Sequence, residues 1–135
     1  MTGAENSGAG AVLQAAMVAQ LAGVLPVSVF DSPPVRAGDP YAVLDEPVLA
    51  DWSTKTWAGR EGRIAVQLFD GGERPVRLRA LVAVAEEALA DWRPVLAGGW
   101  RLVGLRLARS RLVRAGDGRW RSASEFAFRM WREDA

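Results

Sequence analysis

The chain has 135 residues and a mass of 14.6 kDa, with 50% hydrophobic and 24% charged residues, which suits one globular domain over residues 1–135 and excludes a chain disordered throughout. It contains no Cys and no His, so thiol nucleophiles, disulfides, zinc centres of the Cys/His type and the commonest general base at neutral pH are excluded. The formal charge of +1 is unevenly spread: residues 1–92 sum to −5 and residues 93–132 to +8, a division that suits complementary surfaces between protein copies and also a nucleic-acid face.

Residues 1–8 are small and polar and read as a flexible N-terminal arm. Asn6 or Ser7 is placed to cap a helix running to about Ala22, with Gly23 as its stop. Leu13, Met17 and Leu21 recur at helical spacing and form its buried stripe, widened by Val12, Ala16, Ala19 and Val24. The opposite face, with Ala11, Ala15, Val18 and Ala22, carries no charge. Either it is buried within the monomer or, as a domain this small favours, it packs on another subunit. No charged residue lies between Glu5 and Asp31. The start lacks Lys or Arg, and Gln14, Gln20 and Pro26 interrupt the run. Neither a signal peptide nor a spanning helix is therefore expected, and the chain reads as cytoplasmic, unprocessed and without membrane contact.

Val27–Phe30 reads as a short strand, followed by a Pro- and Gly-rich excursion through residue 40. Tyr41–Leu49 reads as a second strand, with Pro47 marking an edge or bulge. Residues 51–62 look like a protruding hairpin loop. Trp52 and Trp57 lie in it, beside Lys55, Arg60 and the small residues Ser53, Thr54, Gly59 and Gly62. Two tryptophans in a loop either fold back onto the sheet or anchor a partner; the sequence favours the partner, with Trp52, Lys55, Trp57 and Arg60 as contact residues. Arg63–Phe69 alternates cleanly, Ile64, Val66 and Leu68 on one face and Ala65, Gln67 and Phe69 on the other.

Asp70-Gly71-Gly72 turns the chain into a second helix, from about residues 73–75 to Trp92, with Leu78, Leu81, Val82, Ala85, Leu89 and Trp92 inward and Arg79, Glu86, Glu87 and Asp91 wet. A long strand from Trp100 to Val113 returns through Ala115–Gly118 into a final strand, Arg119–Arg132, where Trp120, Phe126, Phe128 and Met130 share a face opposite Arg121, Glu125 and Arg129. The order αβββαββ describes a two-layer α+β domain: an antiparallel sheet of about five strands with two helices on one face.

Nothing in this pattern carries chemistry. Glu86 and Glu87 read as solvated charges, and Asp45 and Glu46 point to opposite faces of a strand. Asp70-Gly71-Gly72 lacks the spacing of a phosphate loop, and Asp117 alone makes no calcium loop. Ser110, Ser122 and Ser124 have no His partner. No catalytic, cofactor or metal site is expected, and no small-molecule ligand. Sixteen of the 17 basic residues are Arg, which favours fixed, bidentate contacts. Arg109 and Arg111 share a strand face and are assigned to an interface, as are Ala15 and Val18 on the first helix. A basic ribbon also grips phosphates, so a small Arg-rich nucleic-acid-binding module is the alternative from another class.

Four segments together resemble the tail terminator (tail-completion) proteins of long-tailed bacteriophages and gene transfer agents. They are the N-terminal Ala/Leu helix leading to Val27-Ser28-Val29-Phe30-Asp31, the Pro-rich approach to Asp39-Pro40-Tyr41-Ala42-Val43-Leu44, the strand Arg63–Asp70 running directly into an Ala/Leu helix, and the terminal Glu125–Trp131 strand. The resemblance spans most of residues 10–132 and rests on their order and spacing. It implies a structural virion protein without enzymatic activity. Such a protein forms a ring, typically a hexamer, that caps the tail tube, ends its polymerisation and docks the neck and head. Its partners would be other copies of itself, the tail-tube protein and the neck or head-completion protein, with DNA only as cargo passing through the lumen. Its place would be the virion tail, after assembly in the bacterial cytoplasm. A tail-tube or head–tail connector protein is the near alternative.

Overall fold

The structure, a computed structural model, describes residues 8–133; the arm and the caps expected at Asn6 and Ser7 lie outside the described residues, Gly8 excepted. The first helix, α1, spans Ala9–Val24, with Gly8 at its N-cap and no side-chain cap bond. Gly23 lies within it rather than stopping it. With no side-chain cap at its start and no favourable charge in either end turn, packing must hold this helix. Leu13, Met17 and Leu21 are fully buried, as their spacing requires. Ala19 and Val24 are exposed instead of widening the stripe, and Val18 is half-buried against the core.

Short strands β1 (Ser28–Phe30), β2 (Tyr41–Leu44) and β3 (Val48–Asp51) precede the long β4 (Trp57–Gly71). Helix α2 covers Val76–Leu89, and β5 (Arg101–Arg114) and β6 (Arg119–Glu133) complete the chain. The fold is α+β, with six strands rather than five in one open, mostly antiparallel sheet ordered β1-β2-β4-β6-β5, β3 also pairing β4. The extra strand arises because the segment expected as one strand from Tyr41 is two. Asp45-Glu46-Pro47 breaks the ladder, since Pro47 has no N–H to give. β2 lies along residues 66–69 of β4 and β3 along residues 60–63. Buried Gln14 secures this break: its Nε2 lies 3.1–3.2 Å from the carbonyls of Asp31, Leu44 and Asp45. β1 runs parallel to β2, the one departure from an antiparallel sheet among the described residues.

The hairpin expected over residues 51–62 is ladder at both ends, and only residues 52–56 lie outside strands. Gly59 and Gly62 explain this. They are not loop residues but points of close backbone approach: a Cβ at Gly62 would collide with the Val48 carbonyl, and one at Gly59 with the Trp52 carbonyl.

β4 and β6 pair without interruption from Trp57↔Glu133 to Gly71↔Arg119, so alternation is shared across both. Ile64, Val66, Leu68, Phe126, Phe128 and Met130 face the helices and are buried with the stripes of α1 and α2. Full burial of each such side chain contributes about 1.5–3 kcal/mol. Ser122 and Ser124 lie on the same face. The Ser124 hydroxyl donates to Glu86 Oε2 at 2.6 Å, so Glu86 leans onto the sheet instead of being freely solvated, while Arg79, Glu87 and Asp91 stay exposed. α2 ends at Leu89, short of Asp91 and Trp92, and Asp91 has φ 54°.

The elbow from β4 into α2 is an ion pair rather than a phosphate loop. Arg77 donates from Nε (2.9 Å) and Nη2 (2.6 Å) to the buried Asp70 carboxylate, which also accepts from the Gly71 N–H at 2.8 Å. The Arg77 hydrogen bonds hold the Asp70 carboxyl below the ordinary aspartate value, against the opposing pull of burial.

Candidate assembly surface

The helices cover one face of the sheet; the other lies open. Register places Ala65, Gln67 and Phe69 of β4, with Arg121, Ala123, Glu125, Ala127, Arg129 and Trp131 of β6, on this open face. β5 contributes Arg101, Arg106, Arg109 and Arg111 to it. Two bulges, at Val103 and Ala108, make this possible: each residue is skipped by the β6 ladder.

Aromatic clusters close both ends of the open face. At one end Tyr41 stacks on Phe69 with centroids 4.9 Å apart and meets Phe30 edge-on at 6.1 Å. At the other, Trp52 meets Trp57 at 5.1 Å and Trp57 meets Trp131 at 6.0 Å. The Arg129 guanidinium lies 4.9 Å from the Trp52 ring centroid, and that of Arg101 5.1 Å from Trp131. Between the clusters lies a floor of small residues crossed by ion pairs. Glu125 accepts from Arg63 at 2.8 Å and lies 3.7 Å from Arg109. Arg129 pairs with Glu61 at 3.2 Å. Beyond the Tyr41–Phe69 cluster, Arg119 pairs with Asp39, one contact at 2.9 Å, and this hydrogen bonding raises the Arg119 pKa further. Toward the tryptophan end the face is concave, a trough of about 910 Å³ between Val48 and Ala50 on one side and Val103 and Arg106 on the other.

The residues assigned from sequence fall into three places. Trp52, Trp57 and Arg60 gather at the β3–β4 hairpin with exposed Lys55; Arg60 reaches Asp51 at 3.1 Å and the Gly59 carbonyl at 2.7 Å. Both tryptophans are half-buried, Trp52 against Trp57 and Trp57 against Trp131, so they sit on the sheet rather than free in a loop. Arg109 and Arg111 are exposed on β5, and Arg111 has no carboxylate partner among the described residues. Ala15 is exposed on α1, in the opposite layer, while Val18 is half-buried. Trp131, Arg101 and the Phe30–Tyr41–Phe69 cluster went unassigned. Strand alternation alone carried that signal: counting from Phe126 puts Trp131 opposite the core.

Among the described residues no helix is long and apolar enough to cross a membrane, and no group of three or more His, Cys, Asp or Glu residues is placed to hold a metal. The surface offers cations, aromatic rings and free strand edges, which are means of association. Residues 10–133 match the family model described as Tail completion protein gp17. The chain belongs to that family. It is a structural protein of the virion tail. No curated protein sequence matches this tail completion protein. Twenty-seven chains of solved structures do match. One belongs to the structure described as "Virion of native gene transfer agent (GTA) particle"; it is 30% identical, aligns over 93% of this chain and 99% of that one, and superposes with a TM-score of 0.80.

Proposed function

We propose that this tail completion protein is a non-enzymatic tail terminator: copies close into a ring, a hexamer, that caps the tail tube, stops its polymerisation and presents a docking surface to the neck and head. The observation that carries the reading is the end-to-end likeness to a chain built into a gene transfer agent virion. The uncharged exposed stripe of α1, with Ala11, Ala15, Ala19 and Ala22, supports burial against a neighbour, since a solvated helix face normally carries charge. A closed ring forms from unlike surfaces when the rotation relating them divides the circle.

Negative-stain microscopy and mass photometry of the purified protein, alone and with tail tubes, test this directly. Rings are expected on tube ends, and a strict monomer under both conditions overturns the reading. The β3–β4 hairpin is assigned to contact with the adjacent ring of the tail, through Trp52 and Trp57. Replacing both by Ser should produce overlong or headless tails. Normal capping by that variant removes the hairpin from the contact and leaves the terminator reading standing.

A further inference from the structure

The sheet has two free flanks, and they differ in charge. One is the outer edge of β5, fourteen residues long, to which no strand is paired among the described residues. It carries five Arg and no acid. The other flank is made by β1 to β3 and their connections, residues 28–51, with five acids against one Arg. The sheet order puts these flanks at opposite sides of the molecule.

We propose that β5 of one copy docks along the β1–β3 flank of the next copy, edge to edge, and that this contact builds the ring. The inference rests on the ring reading above and says which surfaces close it. A head-to-tail ring needs two unlike surfaces on opposite sides, and these flanks are unlike and opposed. A long unpaired edge is a template for pairing with another chain. Five Arg on β5 disfavour its pairing with a second β5 by like-charge repulsion and favour an acidic edge. Arg106 and Arg111 have no carboxylate partner within the described residues, so their charge is available to a neighbour. Asp31 and Glu46 are exposed and equally free of cation partners there. Apolar residues flank both charge sets: Val103 is 55% and Leu107 43% exposed on one side, Val48 74% on the other.

The test is a charge swap read by mass photometry and microscopy. R106E/R111E and D31K/E46K should each lower the ring fraction by more than about tenfold, because like charges then meet, with circular dichroism and melting close to the parent. The chain carrying all four substitutions should regain rings. Hydrogen exchange should show the outward amides of β5 protected in the ring and fast in the monomer. If either reversal unfolds, the neutral variant of the same flank, R106Q/R111Q or D31N/E46Q, replaces it, with a smaller loss expected. Reversal variants that form rings like the parent overturn the flank assignment and leave the ring reading intact. Loss of rings in both reversals without recovery in the combined chain overturns it, as does a symmetric dimer through β5. A parent chain that never forms rings overturns both readings.

Discussion

The two faces of the β4–β6 pair are built from alternate residues of the same strands, yet they have opposite compositions. Toward the helices stand Ile64, Val66, Leu68, Phe126 and Phe128, all nearly inaccessible. Away from them stand Ala65, Gln67, Glu125, Ala127 and Arg129, with the β5 arginines beyond. The first set serves the monomer, since removing that apolar area from water is what stabilises the fold. The second set adds little to the monomer: exposed ion pairs contribute about 0–1 kcal/mol each. Aromatic clusters at both ends and arginines held over tryptophan rings are costly features for a surface that meets only water. The contrast separates the residues that fold this chain from those free to serve its assembly.

Leu68→Ala on the covered face should cost about 2–5 kcal/mol, whereas Arg111→Ala on the open face should stay within about 0.5 kcal/mol. Urea unfolding of both variants measures the difference, and equal losses would break the division. Gly62→Ala should cost about 1–3 kcal/mol, because the added methyl meets the Val48 carbonyl and must displace β3. Hydrogen exchange should then rise over residues 48–51 while the helix-facing ladder stays protected. A further effect is a pH dependence at the elbow. Asp70 titrates below its ordinary value in the folded chain because Arg77 hydrogen-bonds it. Its contribution is therefore complete above the unfolded aspartate pKa and is lost as pH falls through the lowered folded value. Asp70→Asn should flatten that acid limb of a stability–pH profile and leave neutral-to-basic behaviour parallel to the parent.

Where local pattern and tertiary structure agree, the fold was legible. The stripe Leu13–Met17–Leu21, the alternation of Arg63–Phe69 and the Ala115–Gly118 turn are nearest-neighbour properties, and the chain realises them. β3 was not legible as a separate strand, because its partner lies in residues 60–63, where Gly62, with Gly59 just before it, suggests a loop until the neighbouring backbone is seen. β1 pairs in parallel with β2 across the Pro-rich excursion, a choice made by space and not by spacing. Glu86 looked solvated because a helical wheel cannot show that Ser124 lies beneath it. The surface was half legible. Arg109 and Arg111 follow from period two, but the packing of Trp52 on Trp57 and of Trp57 on Trp131 depends on a hairpin bending back along a strand more than seventy residues later.

The bulges in β5 act as a pair of phase slips. Along an unbroken strand, odd and even positions never exchange faces, so Arg106 would stand opposite Arg101, Arg109 and Arg111. The slip at Val103 inverts the phase and the slip at Ala108 restores it, so inversion is confined to residues 104–107. One slip without the other would put Arg101 and Arg111 on different sides of the sheet; two bring every arginine from 101 to 111 to the same side while Leu102, Leu105 and Leu107 turn the other way. The polarity of this strand is thus written in two interleaved frames, and a single-residue insertion or deletion between the slips would scramble it without altering its composition.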